Sequence, residues 1–175
     1  MNRLYHTSRL ILASLAAGAA PMVLDYLLRN RKDFDNYEPP KEDSFYTRER
    51  QEAVLDAEQT LFERGQGVRY YIFLASDPDT IVGNISLAHT DGPVCILGYR
   101  IDMAYRRQGI ASEALSFLIP CVFKESRVSM IEADIYPDNT ISADLAIKLG
   151  FHRSGHTMFR GRVIDRFIMS LRDCE

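Results

Sequence analysis

Nine consecutive residues, Tyr105-Arg106-Arg107-Gln108-Gly109-Ile110-Ala111-Ser112-Glu113, set two arginines and a glycine just ahead of a predicted helix. Glycine allows close backbone approach and positive φ, and Ala111 keeps the first helical turn small. The N–H groups of a first turn have no acceptor within the helix, and the positive end of the helix dipole lies beside them. Together they form an anion site to which Arg106 and Arg107 add charge. A pyrophosphate is the natural guest. The spacing is neither the GxxxxGK[ST] phosphate loop nor the GxGxxG dinucleotide fingerprint. Taken alone, the segment reads equally as an anion site or as an ordinary turn.

A second group could move protons. In the strand predicted at 128–136, Glu132, Asp134 and Tyr136 share one face, and Ile131, Ala133 and Ile135 the other. The polar face is either a wet cleft holding a carboxylate base or a plain solvated surface. Ser142, early in the next predicted helix, is either a hydroxyl donor or an N-terminal cap. Cys95, Cys121 and Cys174 form no CxxC pair, and no histidine stands at metal spacing from them. They read as reduced thiols rather than a disulfide framework.

These residues need a scaffold. Arg9–Ala13 reads as a strand, and Ala16–Asn30 as a helix with Met22, Tyr26 and Leu27 among its apolar positions. Asn36–Pro40 opens a polar loop. Thr47 caps a second helix whose inner face carries Val54, Ala57, Leu61 and Phe62, and Gly65 and Gly67 end it. Val68–Ala75, Ile81–Ala88 and Val94–Ile101 form a meander, turning at Asp77-Pro78-Asp79 and Asp91-Gly92-Pro93. A helix over 109–126, a strand over 128–136 and a helix over 140–149 follow. A hairpin of 153–159 and 163–171 then turns at Arg160-Gly161-Arg162. This order predicts an α/β fold in one domain, residues 1–175, with a mixed, mostly antiparallel sheet flanked by helices.

The 175 residues carry a net charge of −3, and 46% are hydrophobic, which gives nucleic acid no electrostatic case as the main ligand. Arg3, Arg9 and the run Leu10–Ala20 have the shape of a signal peptide. The apolar pattern continues past the supposed cut, so a buried strand and an Ala-rich helix is the reading adopted. No run reaches the ~20 apolar residues of a membrane span. These features point to the cytoplasm.

Arg106-Arg107-Gln108-Gly109-Ile110-Ala111 resembles the R/Q-x-x-G-x-G/A motif of the GNAT acetyltransferase superfamily. Asn139-Thr140-Ile141-Ser142-Ala143-Asp144-Leu145-Ala146-Ile147-Lys148-Leu149-Gly150-Phe151 resembles the N-x-x-S-x-x-L-x-x-K-x-G-F signature of its ribosomal-protein N-terminal (Rim-type) branch. Thr7-Ser8-Arg9-Leu10-Ile11-Leu12 resembles that branch's T-x-R-L-x-L opening. Leu28-Arg29-Asn30-Arg31 and Glu38-Pro39 resemble its first helix and loop.

The resemblance implies a GNAT-like fold and acetyl-CoA as co-substrate without a metal. The backbone of Tyr99, Arg100 and Ile101 would pair with pantetheine, and Arg106, Arg107, Gln108, Gly109, Ile110, Ala111 and Ser112 would hold the pyrophosphate, with Asn139 near the pantetheine arm. It also implies Asp134 as the base and Ser142 as a donor to the leaving thiolate. The family's usual tyrosine is Ala146 here, which leaves the acid open. The acceptor is a protein N-terminal amine, or a small amine such as a polyamine or aminoglycoside met by Asp33, Asp35, Glu38, Glu42 and Asp43. A non-catalytic acyl-CoA sensor is the reading of another class. Of the four histidines only His89, at a strand end, is kept as a reserve base. A homodimer is compatible with all of these.

Overall fold

A computed structural model describes residues 1–36, 39–90, 92–159 and 161–174. Glu38, Asp91 and Arg160, expected in a loop and two turns, lie outside the described residues, as does the side chain of Cys174. The chain forms two compact units.

The first unit holds Asn2–Ser86 and Tyr99–Ala111. It opens with β1 (Leu4–His6) and β2 (Leu10–Ala13), paired antiparallel with Tyr5 opposite Leu12. A 3-10 turn leads into α1 (Ala20–Phe34), with Pro21 in its first turn, where a missing N–H costs nothing. Helix α2 (Arg48–Glu63) starts at Thr47, whose hydroxyl accepts from the Arg50 N–H at 3.3 Å. β3 (Gly67–Leu74) runs antiparallel to β2. The α1 residues Val23, Tyr26, Leu27 and Phe34 form the core with Leu55 of α2 and Tyr71 and Phe73 of β3. Leu10, Leu12 and Ala20 have no exposed surface, so the apolar run packs into this unit through these three residues, while Ala16 and Gly18 are exposed.

The second unit holds Met1, Leu87–Gly98 and Ser112–Glu175. Strands β4 (Asp77–His89) and β5 (Val94–Ile101) run from one unit into the other, and α3 (Ile110–Glu125) begins in the first. β6 (Met130–Ile135) lies parallel to β5, as a strand–helix–strand crossover requires. Helix α4 (Thr140–Lys148) and the antiparallel hairpin β7 (His152–Phe159) and β8 (Arg162–Ser170) complete the chain. The sheet order is β1-β2-β3-β4-β5-β6-β8-β7. This is the expected α/β architecture, an open mixed sheet of eight strands flanked by four helices.

Several local expectations need correction. Strand β1 is missing from the sequence reading because only Tyr5 of its three residues points inward. Asp77-Pro78-Asp79 is not the turn: it begins β4, and Ala75–Ser76 turns instead. Pro78 is exposed there, at a strand start that tolerates the missing N–H. Gly67 starts β3 rather than ending α2. Gly65 alone caps that helix, at φ 66° with its N–H on the Phe62 carbonyl and the Gln66 N–H on Leu61. The buried face of α2 is Gln51 and Leu55, whereas Ala57 and Leu61 are exposed. A count of apolar residues misplaces this face because polar side chains help fill it. Gln51 donates to the Phe45 carbonyl, Gln59 to the Leu15 carbonyl, and Glu58 pairs with Arg69.

One buried carboxylate fixes the end of β5. Asp102 is 3% exposed, and its Oδ2 accepts from Arg29 Nε at 2.7 Å and Asn30 Nδ2 at 2.8 Å. Its Oδ1 accepts from the Ala104 N–H at 2.9 Å, and Asn30 Oδ1 accepts from the Met103 N–H at 3.0 Å. Burial by itself raises this carboxyl. The donors from Asn30, Arg29 and Ala104 outweigh it and hold the group below the usual carboxylate range. Such a group stabilises the fold above its unfolded pKa, and that contribution fades as pH falls through the folded value. We therefore expect Asp102→Ala, measured by thermal melting at pH 7, to cost about 3 kcal/mol, the loss typical of a broken buried ion pair. The difference from wild type should shrink below about pH 4; a pH-independent difference would assign the effect to packing.

Candidate functional site

Within the first unit, the Asp102 cluster holds a turn whose backbone is unusual. Arg107 and Gly109 both adopt left-handed conformations, at φ 60° and 78°. For Arg107 this is costly. A change of hand between neighbouring residues can bring their backbone N–H groups toward one point, the principle of an anion nest. Helix α3 starts at the next residue, Ile110, adding the N–H groups of a 16-residue helix. A Cβ built on Gly109 meets only Arg9 Nη2, at 3.4 Å. The glycine is therefore required by its φ rather than by crowding within the protein.

The side chains of the turn divide by role. Arg106 is committed to the fold, since its Nη1 and Nη2 grip both oxygens of Asp33 and its Nε donates to the Ile101 carbonyl at 3.2 Å. Gln108 Nε2 donates to the Ala104 carbonyl at 3.2 Å and braces the turn. Arg107 is exposed. Arg9 is a contributor that residue-by-residue reasoning missed. Its Nη1 and Nη2 both lie 3.2 Å from the Gln108 carbonyl, so a guanidinium from the start of β2 sits on the turn. The signal was the T-x-R-L-x-L opening, whose arginine had no assigned task. Tyr99 and Arg100 are half-buried, and Ile101 is buried.

The other candidates lie in the second unit. Ser112 follows in the first turn of α3 and is partly buried. Glu132 and Asp134 share a face of β6, as alternation predicts, but Arg166 of β8 reaches both. Its Nε stands 3.0 Å and its Nη2 3.2 Å from the two oxygens of Asp134, and its Nε 3.5 Å from Glu132. Tyr136 lies under the Arg162 guanidinium, 4.0 Å from the ring centroid. The polar face is thus a network of ion pairs. Asn139, not Ser142, caps α4: its Oδ1 accepts from the Ser142 N–H at 3.3 Å. At the other end Gly150, at φ 98°, donates to Ile147 while the Phe151 N–H donates to the Ala146 carbonyl, a Schellman closure. Much of the Asn139–Phe151 signature therefore specifies a nine-residue helix closed at both ends.

The acidic loop residues are partly occupied as well, Asp33 by Arg106 and Asp43 by Arg31 at 2.7 Å. Burial pushes the Cys95 thiol up to about 12 and also raises Cys121, so neither is a thiolate at neutral pH. Burial lowers the half-buried His89, helped by the N-terminal ammonium. Among the described residues no group of three His, Cys, Asp or Glu side chains is arranged to hold a metal, and no helix is long and apolar enough to cross a membrane. The turn yields a direct test. Valine at position 109 is strained at φ 78°, so Gly109→Val should weaken CoA binding about tenfold in calorimetric titration, given a left-handed penalty of about 1–2 kcal/mol. Unchanged affinity in a folded variant would remove the turn from the binding site.

Known proteins with the same pattern supply the remaining link. The model of the acetyltransferase (GNAT) domain family matches residues 9–152. The probable N-acetyltransferase YjcK of Bacillus subtilis (strain 168) is 31% identical over 129 residues, covering 72% of this chain and 71% of that protein. The ribosomal protein uS5-alanine N-acetyltransferase of Escherichia coli (strain K12) is 26% identical over 152 residues, covering 86% of this chain and 78% of that protein. Among solved structures, ribosomal-protein-S5-alanine acetyltransferase from Vibrio fischeri has the same fold, with a TM-score of 0.89 at 20% identity over 99% of this chain and 100% of the other. RimL, a ribosomal L7/L12 alpha-N-protein acetyltransferase solved in complex with coenzyme A, matches with a TM-score of 0.82 at 18% identity, covering 97% of each chain. A left-handed turn opening a helix, this fold and a family match over residues 9–152 lead to one conclusion: the chain belongs to the GNAT acetyltransferases and is an N-acetyltransferase of that type.

Proposed function

We propose that this enzyme transfers acetyl from acetyl-CoA to the α-amine of a protein N-terminus, by direct attack and without an acyl-enzyme. The observation that carries the reading is the pair of left-handed residues, Arg107 and Gly109, immediately before α3. In this reading the N–H groups of Arg107 to Ser112 receive the CoA pyrophosphate. Arg9 and Arg107 supply charge, while Arg106 and Gln108 hold the turn. The backbone of Tyr99, Arg100 and Ile101 aligns the pantetheine arm, and Asn139 acts near that arm while capping α4. Bound acetyl-CoA supplies an activated thioester carbonyl.

The amine nitrogen forms a bond to that carbonyl carbon, the C–S bond breaks, and the thiolate takes up a proton. An α-amine with a pKa near ~8 is partly neutral at working pH, unlike a lysine near ~10.4. A modest proton acceptor therefore suffices. Asp134 takes that role through water, sharing its oxygens with Arg166, and Ser142 donates to the leaving sulfur. Direct attack asks nothing of the thiols, and Cys95 is held protonated by burial. A protein acceptor is supported by the relative that acts on ribosomal protein uS5. It accords with a cytoplasmic enzyme that works as one domain and has no nucleic-acid or membrane partner. The polyamine alternative loses ground because Asp33 and Asp43 already bind arginines.

One observation favours a second reading. At the position of the family's tyrosine stands Ala146, 7% exposed, which has no proton to give and lends weight to a non-catalytic acyl-CoA sensor. Thiol release from acetyl-CoA, followed with a peptide carrying a free N-terminal alanine, separates the two. Turnover that stops when the α-amine is blocked supports the enzyme proposed here; tight CoA binding with no turnover on any amine supports the sensor. Asp134→Asn should lower kcat by about 10²-fold, the lower range for a general base, with the KM for acetyl-CoA retained. An unaltered kcat would leave Asp134 as the ion-pair partner of Arg166 alone.

A further inference from the structure

A cavity of about 200 Å³ lies inside the first unit, under α1 and α2 and against β3, β4 and β5. Its charged lining is three cations, Lys41, Arg69 and Arg100, and one carboxylate, Glu58. The carboxylate is largely spoken for. Its Oε1 lies 2.8 Å from Arg69 Nη1, and its Oε2 accepts from the Tyr71 hydroxyl at 3.4 Å. Burial raises the pKa of this glutamate, with Arg69 opposing, which weakens the single negative charge further. Lys41 Nζ rests 5.8 Å from the centre of the Phe45 ring, and the Arg100 guanidinium 5.0 Å over that of Phe34. An aromatic face positions a cation without cancelling its formal charge. Lys41, Phe45 and Arg100 are only half-buried, so the cavity has a wall that solvent reaches.

We propose that this cavity receives the acceptor, and that it selects an amine whose own molecule carries a carboxylate close to the reacting nitrogen. The reasoning is electrostatic complementarity. A lining with excess positive charge attracts a carboxylate and repels a polycation, and partial burial limits screening by solvent. A polyamine or aminoglycoside brings only positive charge, so it is the wrong guest. An N-terminal residue followed by an acidic side chain is the right one, and an amino acid with a free α-carboxylate offers the same chemistry. The place fits as well. Arg100, which lines the cavity, belongs to the β5 segment to which the function proposed above assigns the pantetheine arm, and on that reading this inference rests.

The test is equilibrium binding to the full chain saturated with CoA, which needs no turnover. The probes are the amidated peptides Ala-Glu-Gly-Tyr, Ala-Gln-Gly-Tyr and Ala-Lys-Gly-Tyr, together with alanine and alaninamide. The Glu peptide should bind at least tenfold more tightly than the Gln peptide, and the Lys peptide most weakly. Lys41→Glu should abolish or invert that order, with Lys41→Gln between them and melting temperatures checking the fold. A preference found only for alanine over alaninamide, and lost in Lys41→Glu, upholds the cavity and assigns the carboxylate to a free amino acid. Equal binding across both sets, a preference for the Lys peptide, or a preference untouched by Lys41→Glu overturns the proposal. Acetyl release on the same peptides is read separately. Turnover without charge preference sinks the cavity and spares the acetyltransferase reading, whereas charge-selective binding without turnover does the reverse.

Discussion

The first unit depends on one buried charge. Asp102 ends β5, and nearly all its hydrogen-bonding capacity is spent on holding neighbours: Arg29 and Asn30 of α1 on one oxygen, the Ala104 N–H on the other. Asn30 returns the favour by accepting from the Met103 N–H. A carboxylate at 3% exposure is tolerable only when its donors are this complete. Because they come from a helix distant in sequence, the end of β5 cannot shift without breaking them. The left-handed backbone at Arg107 and Gly109, costly at the arginine, follows five and seven residues later. Arg106 on Asp33 and Arg9 on Gln108 extend the same brace into the turn. Strained backbone persists where its surroundings over-determine it, and that is the situation here.

The division of labour within the turn alters how the glycine motif is understood. Arginines near a phosphate-like site are easily assumed to face the ligand. Here Arg106 is tied to Asp33, and Arg9, almost a hundred residues earlier in the chain, adds its guanidinium to the turn beside the exposed Arg107. A similar inversion applies to Asn139 and Gly150, which close the two ends of α4. Motif residues of this kind work largely through backbone geometry. On the function proposed here, their side chains set the conformation and the N–H groups meet the ligand.

Much of this fold is legible in the sequence where local chemistry dominates. Thr47 announces α2, the alternation of Ile131, Ala133 and Ile135 announces the inner face of β6, and Gly109 announces the start of α3. Legibility fails where tertiary partners decide. The inward face of α2 is chosen by Gln51 and Glu58, whose acceptors and counter-charges lie on other elements. Nothing local to Leu28–Arg31 says that two of its side chains reach Asp102. Likewise Asp134 is readable as a carboxylate on the polar face of a strand, but Arg166, which grips it, stands 32 positions away. The cavity charge is invisible for the same reason, being assembled from Lys41, Glu58, Arg69 and Arg100 by folding alone.

The central claim is that the backbone nest before α3 binds a pyrophosphate. It is tested most directly by comparing the affinity of the protein for acetyl-CoA with that for acetyl-pantetheine, which keeps the thioester arm and lacks the pyrophosphate. Several charge-assisted hydrogen bonds, each stronger than a neutral one, predict a loss of at least about 10²-fold for acetyl-pantetheine, since such bonds contribute roughly 1.5–3 kcal/mol apiece. Equal affinity for the two would contradict the claim and leave the turn a structural feature only.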